Sequence, residues 1–286
     1  MSGSLLHAFP MSEENKIKDA IEAATGLVKA IPIYQDALQP AAKQIGGALE
    51  TVAKAIRVAL APVSALVWGY EQIKDFVHSR VAEKLKSTPP EDIQPPKPNI
   101  AGPALEALRY TGHEPTLREL YANLIAASLD KKTATIAHPA FVELIKQLSP
   151  DEARLMRLFA VDRSFPVITV RAENNDSAKG GTDVLARVSL LGIEAQCEHP
   201  ELTPAYLDNL SRLGLIDIPQ FMSYTDATLY KTLEEHPQVV AIRAQVDSVP
   251  GQKSVVSRQG AWVTQLGKHF ISACVVDHEQ ARNQRA

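Results

Sequence analysis

The clearest amphipathic pattern in the chain lies between residues 41 and 61. Apolar side chains recur there every three or four positions, as on one face of an α-helix, and charged side chains occupy the opposite face. Pro62 follows, and a second apolar stripe with helical spacing continues to about residue 86. These stretches predict an N-terminal helical hairpin region over residues 13–88, preceded by a flexible tail over residues 1–12.

Proline marks the next boundary. Six prolines fall between residues 89 and 103. Because proline fixes φ and lacks an amide hydrogen, this stretch is predicted to be an extended linker without helix. Residues 104–148 then show helical periodicity, broken only by a Gly and by a His-Pro pair, and predict a central helical block.

The last segment, residues 149–286, mixes helix and strand patterns. It opens on Ser-Pro-Asp-Glu at residues 149–152, which is typical of a helix start because the serine caps the helix and the glutamate bonds back to it. A short strand is predicted at residues 166–170 and a helix at residues 182–197, where apolar side chains repeat at helical spacing.

A winged-helix-like order is predicted near the end of the chain. A helix from Thr203 stops at Gly214, a strand follows at residues 215–218, and residues 254–257 and 261–264 are predicted to pair as a hairpin. The predicted fold class is therefore mainly α with a smaller α+β part. Its parts are an N-terminal helical hairpin, a central helical block and a winged-helix-like C-terminal domain.

Composition adds three limits. Hydrophobic residues make up 45% of the 286 positions and the net charge is −3, so a globular protein is expected and a strongly cationic one is excluded. Two cysteines do not make a disulfide framework and favour a cytoplasmic location, with peripheral contact to the inner membrane left open. The longest uncharged apolar run, between Arg57 and Glu71, is too short to cross a bilayer, which needs about 20 apolar residues.

No motif in the chain predicts catalysis, a metal or a cofactor. The run from Gly260 to Lys268 has six residues between its two glycines and lacks a following Ser or Thr, so it does not match a phosphate-binding loop. Two short stretches each contain one cysteine and one histidine, but neither has the paired spacing of a zinc site; the residues are Cys197, His199, His269 and Cys274. The chain is therefore not predicted to be an enzyme; a diverged enzyme is the alternative, because a site assembled from distant residues leaves no local motif.

Two groups of residues are candidate functional positions. The first is an apolar surface for a membrane or a partner, with self-packing of the hairpin as the alternative; it comprises Ile45, Leu49, Val52, Ile56, Leu60, Trp68 and Tyr70. The second consists of Asn123, interpreted as a buried polar clamp or a polar site, and His138, interpreted as a helix-start residue or a polar site.

Nucleic acid is not an expected partner. The helix that would read DNA in a winged helix, residues 205–213, contains Arg212 as its one cation, and Asp208 balances it. Phosphate and base contacts favour several Arg and Lys side chains on such a helix. A winged-helix regulator that binds nucleic acid remains an alternative on the fold pattern alone.

Several longer runs share features with a known family. They are residues 99–110, Leu117-Arg-Glu-Leu-Tyr-Ala-Asn-Leu124, residues 127–130, residues 138–150, Asp208-Asn-Leu-Ser-Arg-Leu-Gly-Leu-Ile216 and residues 263–271 with Cys274. Together they resemble the bacterial abortive-infection alpha (Abi-alpha) family, over about residues 19–275. The resemblance implies defence against bacteriophage by halting or killing the infected cell, and it carries over no enzymatic residue.

The expected function is accordingly an anti-phage protein that senses infection and acts through protein–protein contact. Its expected partner is a phage component or a second copy of the chain. The alternative is a membrane-perturbing effector that uses the amphipathic helices at residues 41–86.

Overall fold

The structure is a computed structural model, and it describes residues 67–176 and 180–283. All of these residues fall within one compact unit, residues 65–286. The predicted amphipathic helix at residues 41–61 lies outside the described residues. No helix among the described residues is both long enough and apolar enough to span a membrane.

The first part of the unit is helical. Its elements are α1 (Tyr70–Phe76), a π-helical turn (Val77–Val81), α2 (Ala82–Lys84), α3 (Pro98–Thr111), α4 (Pro115–Leu129), α5 (Ala140–Lys146) and α6 (Pro150–Phe159). Helix α4 is central, since it contacts α2, α3, α5, α6 and the π-helical turn. A helix that is apolar on all sides is stable only when it is enclosed, and Leu120, Tyr121 and Leu124 of α4 are fully buried.

The proline-rich stretch is partly helical, contrary to the prediction of an extended chain. Helix α3 begins at Pro98, six residues before the predicted start of the central helical block at residue 104. Pro98 takes the first helical position, where an amide hydrogen has no intrahelical partner. Pro103 lies inside the helix and removes one backbone hydrogen bond, while Ile100 and Ala104 of the same helix are buried in the core.

The second part of the unit adds strands. Its elements are β1 (Pro166–Asn174), β2 (Gly181–Val188), α7 (Leu191–Glu194), α8 (Thr203–Arg212), β3 (Ile216–Asp217), α9 (Lys231–Glu234), α10 (Pro237–Asp247), β4 (Gln252–Gly260), β5 (Trp262–Val263), α11 (Gln265–Phe270), a second π-helical turn (Ile271–Val275) and α12 (His278–Asn283). The mainly α class with a smaller α+β part is confirmed.

Two antiparallel sheets organise these strands. The larger sheet has the order β2-β1-β4, and the smaller one pairs β3 with β5. The predicted hairpin is therefore wrong: residues 254–257 lie in β4 and pair with β1, while Val263 pairs with Ile216 of β3. One face of the larger sheet packs on α9 and α10 in a second hydrophobic core, separate from the main one.

The helix predicted at residues 182–197 is also wrong over its first half. Residues 181–188 form β2, whose pairing with β1 shifts register twice. Arg187 has φ of 54°, and this left-handed residue interrupts the alternation of side chains along the strand. The apolar residues Val184, Leu185 and Val188 therefore have helical spacing in sequence although the backbone is extended.

Two helix boundaries lie where local signals in the sequence predict them. Ser149 accepts a hydrogen bond from the amide of Glu152, and Glu152 accepts one from the amide of Ser149, which confirms the capping box of α6. Gly214 has φ of 71° and ends α8 as predicted, because glycine enters the left-handed region without strain.

Candidate functional site

An apolar groove runs between α1 and α3. This α1–α3 groove has a volume of about 640 Å³, and its lining includes Trp68, Tyr70, Ile73, Val77, Leu105 and Arg109. Tyr70, one of the predicted surface residues, is 77% exposed. Leu105 is 37% exposed on the opposite wall. The groove thus presents apolar side chains to solvent, as binding grooves do.

Trp68 forms a fixed wall of this groove. Its ring meets Phe76 edge to face with 5.5 Å between ring centroids, and the Arg118 guanidinium lies 5.9 Å from its ring. The Trp68 amide donates to the Arg109 carbonyl at 2.8 Å. The ring fits because residue 112 is glycine: a Cβ there would lie 2.3 Å from it. The structure therefore brings the predicted surface residues Trp68 and Tyr70 together in one groove.

The rim of the groove is rich in cationic and titratable groups. Lys74, His78 and Arg109 line it together with Glu106. Lys74 pairs with Glu71 at 3.3 Å, and both side chains are more than half exposed. Within the described residues, no carboxylate forms an ion pair with Arg109, whose guanidinium lies 5.8 Å from the Tyr110 ring. Arg109, unlike Lys74, therefore has no counter-charge in contact with it among the described residues.

A second apolar feature is the Phe221 loop, defined as residues 219–224. Phe221 is 97% exposed and Met222 is 55% exposed. The loop is anchored at Tyr224, whose amide donates to the Tyr230 hydroxyl at 2.8 Å. The Tyr224 hydroxyl accepts from the Phe165 amide at 3.0 Å. This loop was not predicted from the sequence, since a Phe-Met pair after a strand has the composition of a buried segment.

A buried polar cluster lies where α4 ends. Asp130 is fully buried, and its Oδ2 accepts from His278 Nε2 at 3.0 Å and from Arg282. Its Oδ1 accepts from the Lys132 amide at 2.9 Å. Arg282 also bonds Asp92, so one guanidinium joins two carboxylates. The cluster attaches α12 to the end of the central helix.

Burial and hydrogen bonding act in opposite directions on Asp130. Burial alone raises the pKa of this carboxyl, but hydrogen bonds from Arg282, Lys132 and His278 outweigh it and hold the pKa below the ordinary 3.8. Burial lowers the pKa of His278 below 6.5, against the pull of the Asp130 carboxylate. His278 Nδ1 has no hydrogen-bond partner in the described structure, so a proton added there would be buried and unpaired.

Asn123 is placed as a buried clamp. Its Nδ2 donates to the Cys274 carbonyl at 2.9 Å, across 151 residues of sequence. Cys274 belongs to the second π-helical turn, and carbonyls near a helix end have no intrahelical donor. Asn123 therefore satisfies a backbone group that the helix leaves open.

His138 lies at a helix start. The Ala140 amide donates to His138 Nδ1 at 3.1 Å, and the side chain is exposed next to Phe141. Asn123 is buried and His138 is exposed, and no hydrogen bond joins them among the described residues. The predicted apolar residues of the N-terminal helix, namely Ile45, Leu49, Val52, Ile56 and Leu60, lie outside the described residues.

The cysteines have separate environments. Cys274 is fully buried in the main core, and burial raises the pKa of its thiol. Cys197 is half-buried, and its Sγ lies 3.6 Å from the Asp151 carbonyl as a weak donor. In the part of the chain that the structure describes, no three His, Cys, Asp or Glu side chains are grouped to hold a metal ion.

Comparison with known proteins then gives the family. The family model for abortive infection alpha matches residues 69–274, which is more than half of the 286 residues. The chain belongs to the abortive infection alpha family. The matched range of this Abi-alpha chain contains the α1–α3 groove from Gly69 onward and the Phe221 loop, whereas His278 and Arg282 lie beyond its end.

Other comparisons add little to the family assignment. No curated protein matches this Abi-alpha chain. Among solved structures, it is similar to the uncharacterized protein from the hydrocarbon-degrading marine bacterium Alcanivorax borkumensis SK2. That match has 20% sequence identity and a TM-score of 0.35, and it covers 50% of this chain and 94% of the other.

The Asp130 cluster should make the fold of this Abi-alpha chain less stable at acidic pH. His278 has a lowered pKa in the folded protein, so its contribution to stability is complete above the unfolded pKa of about 6.5 and is lost as the pH falls below it. The free energy of unfolding should drop as the pH falls below about 6.5, by up to about 1.4 kcal/mol per pH unit from this group.

Urea unfolding at several pH values measures this slope. In His278→Gln the free energy of unfolding should change less steeply with pH over the same range, because glutamine does not titrate. The difference in slope should be up to about 1.4 kcal/mol per pH unit, which corresponds to one proton. Equal slopes in both proteins would contradict the assignment to His278.

Proposed function

We propose that the chain is an anti-bacteriophage abortive-infection protein that senses infection and causes growth arrest or death of the infected cell through protein–protein contact. Membership of the abortive infection alpha family is the observation that carries the defence role. In this proposal the protein is cytoplasmic and its action needs no catalytic group.

The contact mode is supported by two preformed apolar surfaces. The α1–α3 groove exposes Tyr70 and Leu105, and the Phe221 loop exposes Phe221 and Met222. Aromatic and Met side chains are enriched at the centres of protein interfaces, whereas an isolated protein gains nothing by exposing them.

The charges of helix α8, which would read DNA in a winged helix, also favour protein contact over nucleic acid. Arg212 of α8 is held by Asn209 and by Gln147, with nitrogen–oxygen distances of 3.0 Å and 3.1 Å. Asp208 pairs with Arg187. The cation that would contact a phosphate is therefore already engaged by the protein.

A phage challenge tests the defence role. Bacteria that express the full chain should form fewer plaques than an empty-vector strain, and infected cells should die or stop growing while they release fewer phage. An unchanged yield for every phage in a broad panel would contradict the proposal.

Two measurements on the purified chain test the contact mode. Release of dye from vesicles of anionic lipid would overturn it in favour of the membrane-perturbing effector. A gel shift with duplex DNA that weakens steeply with salt would overturn it in favour of a nucleic-acid regulator, because phosphate contacts release counterions. Neither effect is expected.

A further inference from the structure

The Phe221 loop and the α1–α3 groove are complementary features of one chain. The loop projects an aromatic ring and a thioether side chain, with Phe221 97% exposed. The groove is a largely apolar recess of about 640 Å³, which is ample for both side chains. Because Phe221 is so exposed, it does not occupy the groove of its own chain.

Charge complementarity supports the same pairing. The segment at residues 217–226 carries Asp217 and Asp226 and no Lys or Arg, and both aspartates are exposed. Hydrogen bonds from Thr228 lower the pKa of Asp226. The groove rim carries Glu106 besides Lys74 and Arg109; Lys74 pairs with Glu71, and Arg109 has no ion-pair partner among the described residues. The two aspartates that flank the uncharged, apolar loop therefore offer counter-charges to Arg109 at the edge of the apolar recess.

We propose that the α1–α3 groove binds the Phe221 loop of a second copy of the chain. This inference rests on the proposed function, and it identifies the protein partner as a second copy of the chain. The contact is heterologous, since one copy gives the loop and the other gives the groove. Each bound copy leaves its own loop or groove free, so assembly continues into a ring or an open chain of copies.

The loop is built to act as an anchor. Tyr224 ties its end to Phe165 and Tyr230 by hydrogen bonds of 3.0 Å and 2.8 Å. A held loop loses little conformational entropy on binding, and a preorganised aromatic anchor contributes more than its area suggests. The contact is small, so association should be weak and concentration-dependent.

A mixing experiment with two variants tests the proposal. Phe221→Asp removes the anchor and keeps the groove, while Leu105→Glu places an acidic group in the groove and keeps the anchor. Analytical ultracentrifugation of the full-length wild type should show species larger than one copy of 31.2 kDa that grow with concentration. Each variant alone should associate at least about tenfold more weakly, as expected when a hot-spot residue is lost.

The mixture of the two variants gives the decisive result. One intact loop and one intact groove remain between them, so the equimolar mixture should form a species of twice the single mass and stop there. The matched control Val240→Asp changes another exposed apolar residue and should assemble as the wild type does. Tyr70→Glu replaces Leu105→Glu if circular dichroism shows that the latter is unfolded.

Three results would overturn this pairing: a monomeric mixture, a variant that assembles like the wild type, or a wild type that stays monomeric at every soluble concentration. The phage challenge is read separately. A dimeric mixture without protection against any phage contradicts the proposed function and leaves the pairing supported. Protection by the wild type with a monomeric mixture contradicts the pairing alone.

Discussion

Replacing Asp130 with alanine is expected to lower the free energy of unfolding by about 3–5 kcal/mol. The carboxylate is fully buried and faces Arg282 and His278, which are also buried. Without it the guanidinium loses one of its two counter-charges in a site that is mostly shielded from water. Breaking a buried pair on one side is costly because the remaining charge stays desolvated.

Chemical denaturation followed by circular dichroism measures this loss. Asp162→Ala is the matched control, since this carboxylate is exposed, and it should change stability by no more than about 0.5 kcal/mol. In the Asp130→Ala background, Arg282→Met should cost less than it does in the wild type, because its partner is already gone. Equal effects of the Asp130 and Asp162 substitutions would show that the cluster does not stabilise the fold.

This cluster also shows why sequence alone did not reveal every buried site. Asp130 and His278 are 148 residues apart, so no local spacing links them. The available signal was weak: His278 and Arg282 are four residues apart, on one face of a short helix, opposite an Asp that ends an apolar helix. Such a pattern fits a solvated helix face equally well.

Helix starts and ends were predictable where their chemistry is local. The capping box at Ser149 and the left-handed Gly214 each act within a few residues, so the sequence contains the whole signal. The strand β2 was not predictable in this way. Its conformation depends on pairing with β1, and the irregular register around Arg187 gives its apolar residues the spacing of a helix.

The surface candidates also differ in whether their signal is local in the sequence or depends on the fold. Trp68 and Tyr70 were predicted as an interaction surface from their place at the end of an apolar stretch, and the structure places both in the groove. The Phe221 loop was missed because exposure of an aromatic residue is a property of the folded chain. A Phe next to Met in sequence is more often core than surface.

Substitution of Gly267 is expected to have the second large effect on stability. Gly267 belongs to the run from Gly260 to Lys268, which does not match a phosphate-binding loop and has a structural role instead. A Cβ at this position would lie 2.0 Å from the Leu215 carbonyl oxygen and 2.9 Å from Val263. That carbonyl accepts a hydrogen bond from the Thr264 amide at 3.1 Å, beside the β3–β5 pair, so it is not free to move away. Glycine is required here because the two backbones are in contact.

Gly267→Ala is therefore expected to destabilise the chain by about 3 kcal/mol or more, the upper end for overpacking, since the clash is with backbone. Gly102→Ala is the matched control. Gly102 lies in α3, and apart from its chain neighbours and its own helix backbone no atom lies within 4 Å of the point that an alanine Cβ would occupy. Alanine has the higher helix propensity, but a Cβ before Pro103 is disfavoured in a helix, so the two effects oppose each other and stability should change by no more than about 1 kcal/mol. The urea midpoint of Gly267→Ala should fall well below that of the wild type, whereas the midpoint of Gly102→Ala should stay close to it. A midpoint for Gly267→Ala at or above the wild-type value would mean that α11 and β3 separate easily, contrary to the close contact that the structure shows.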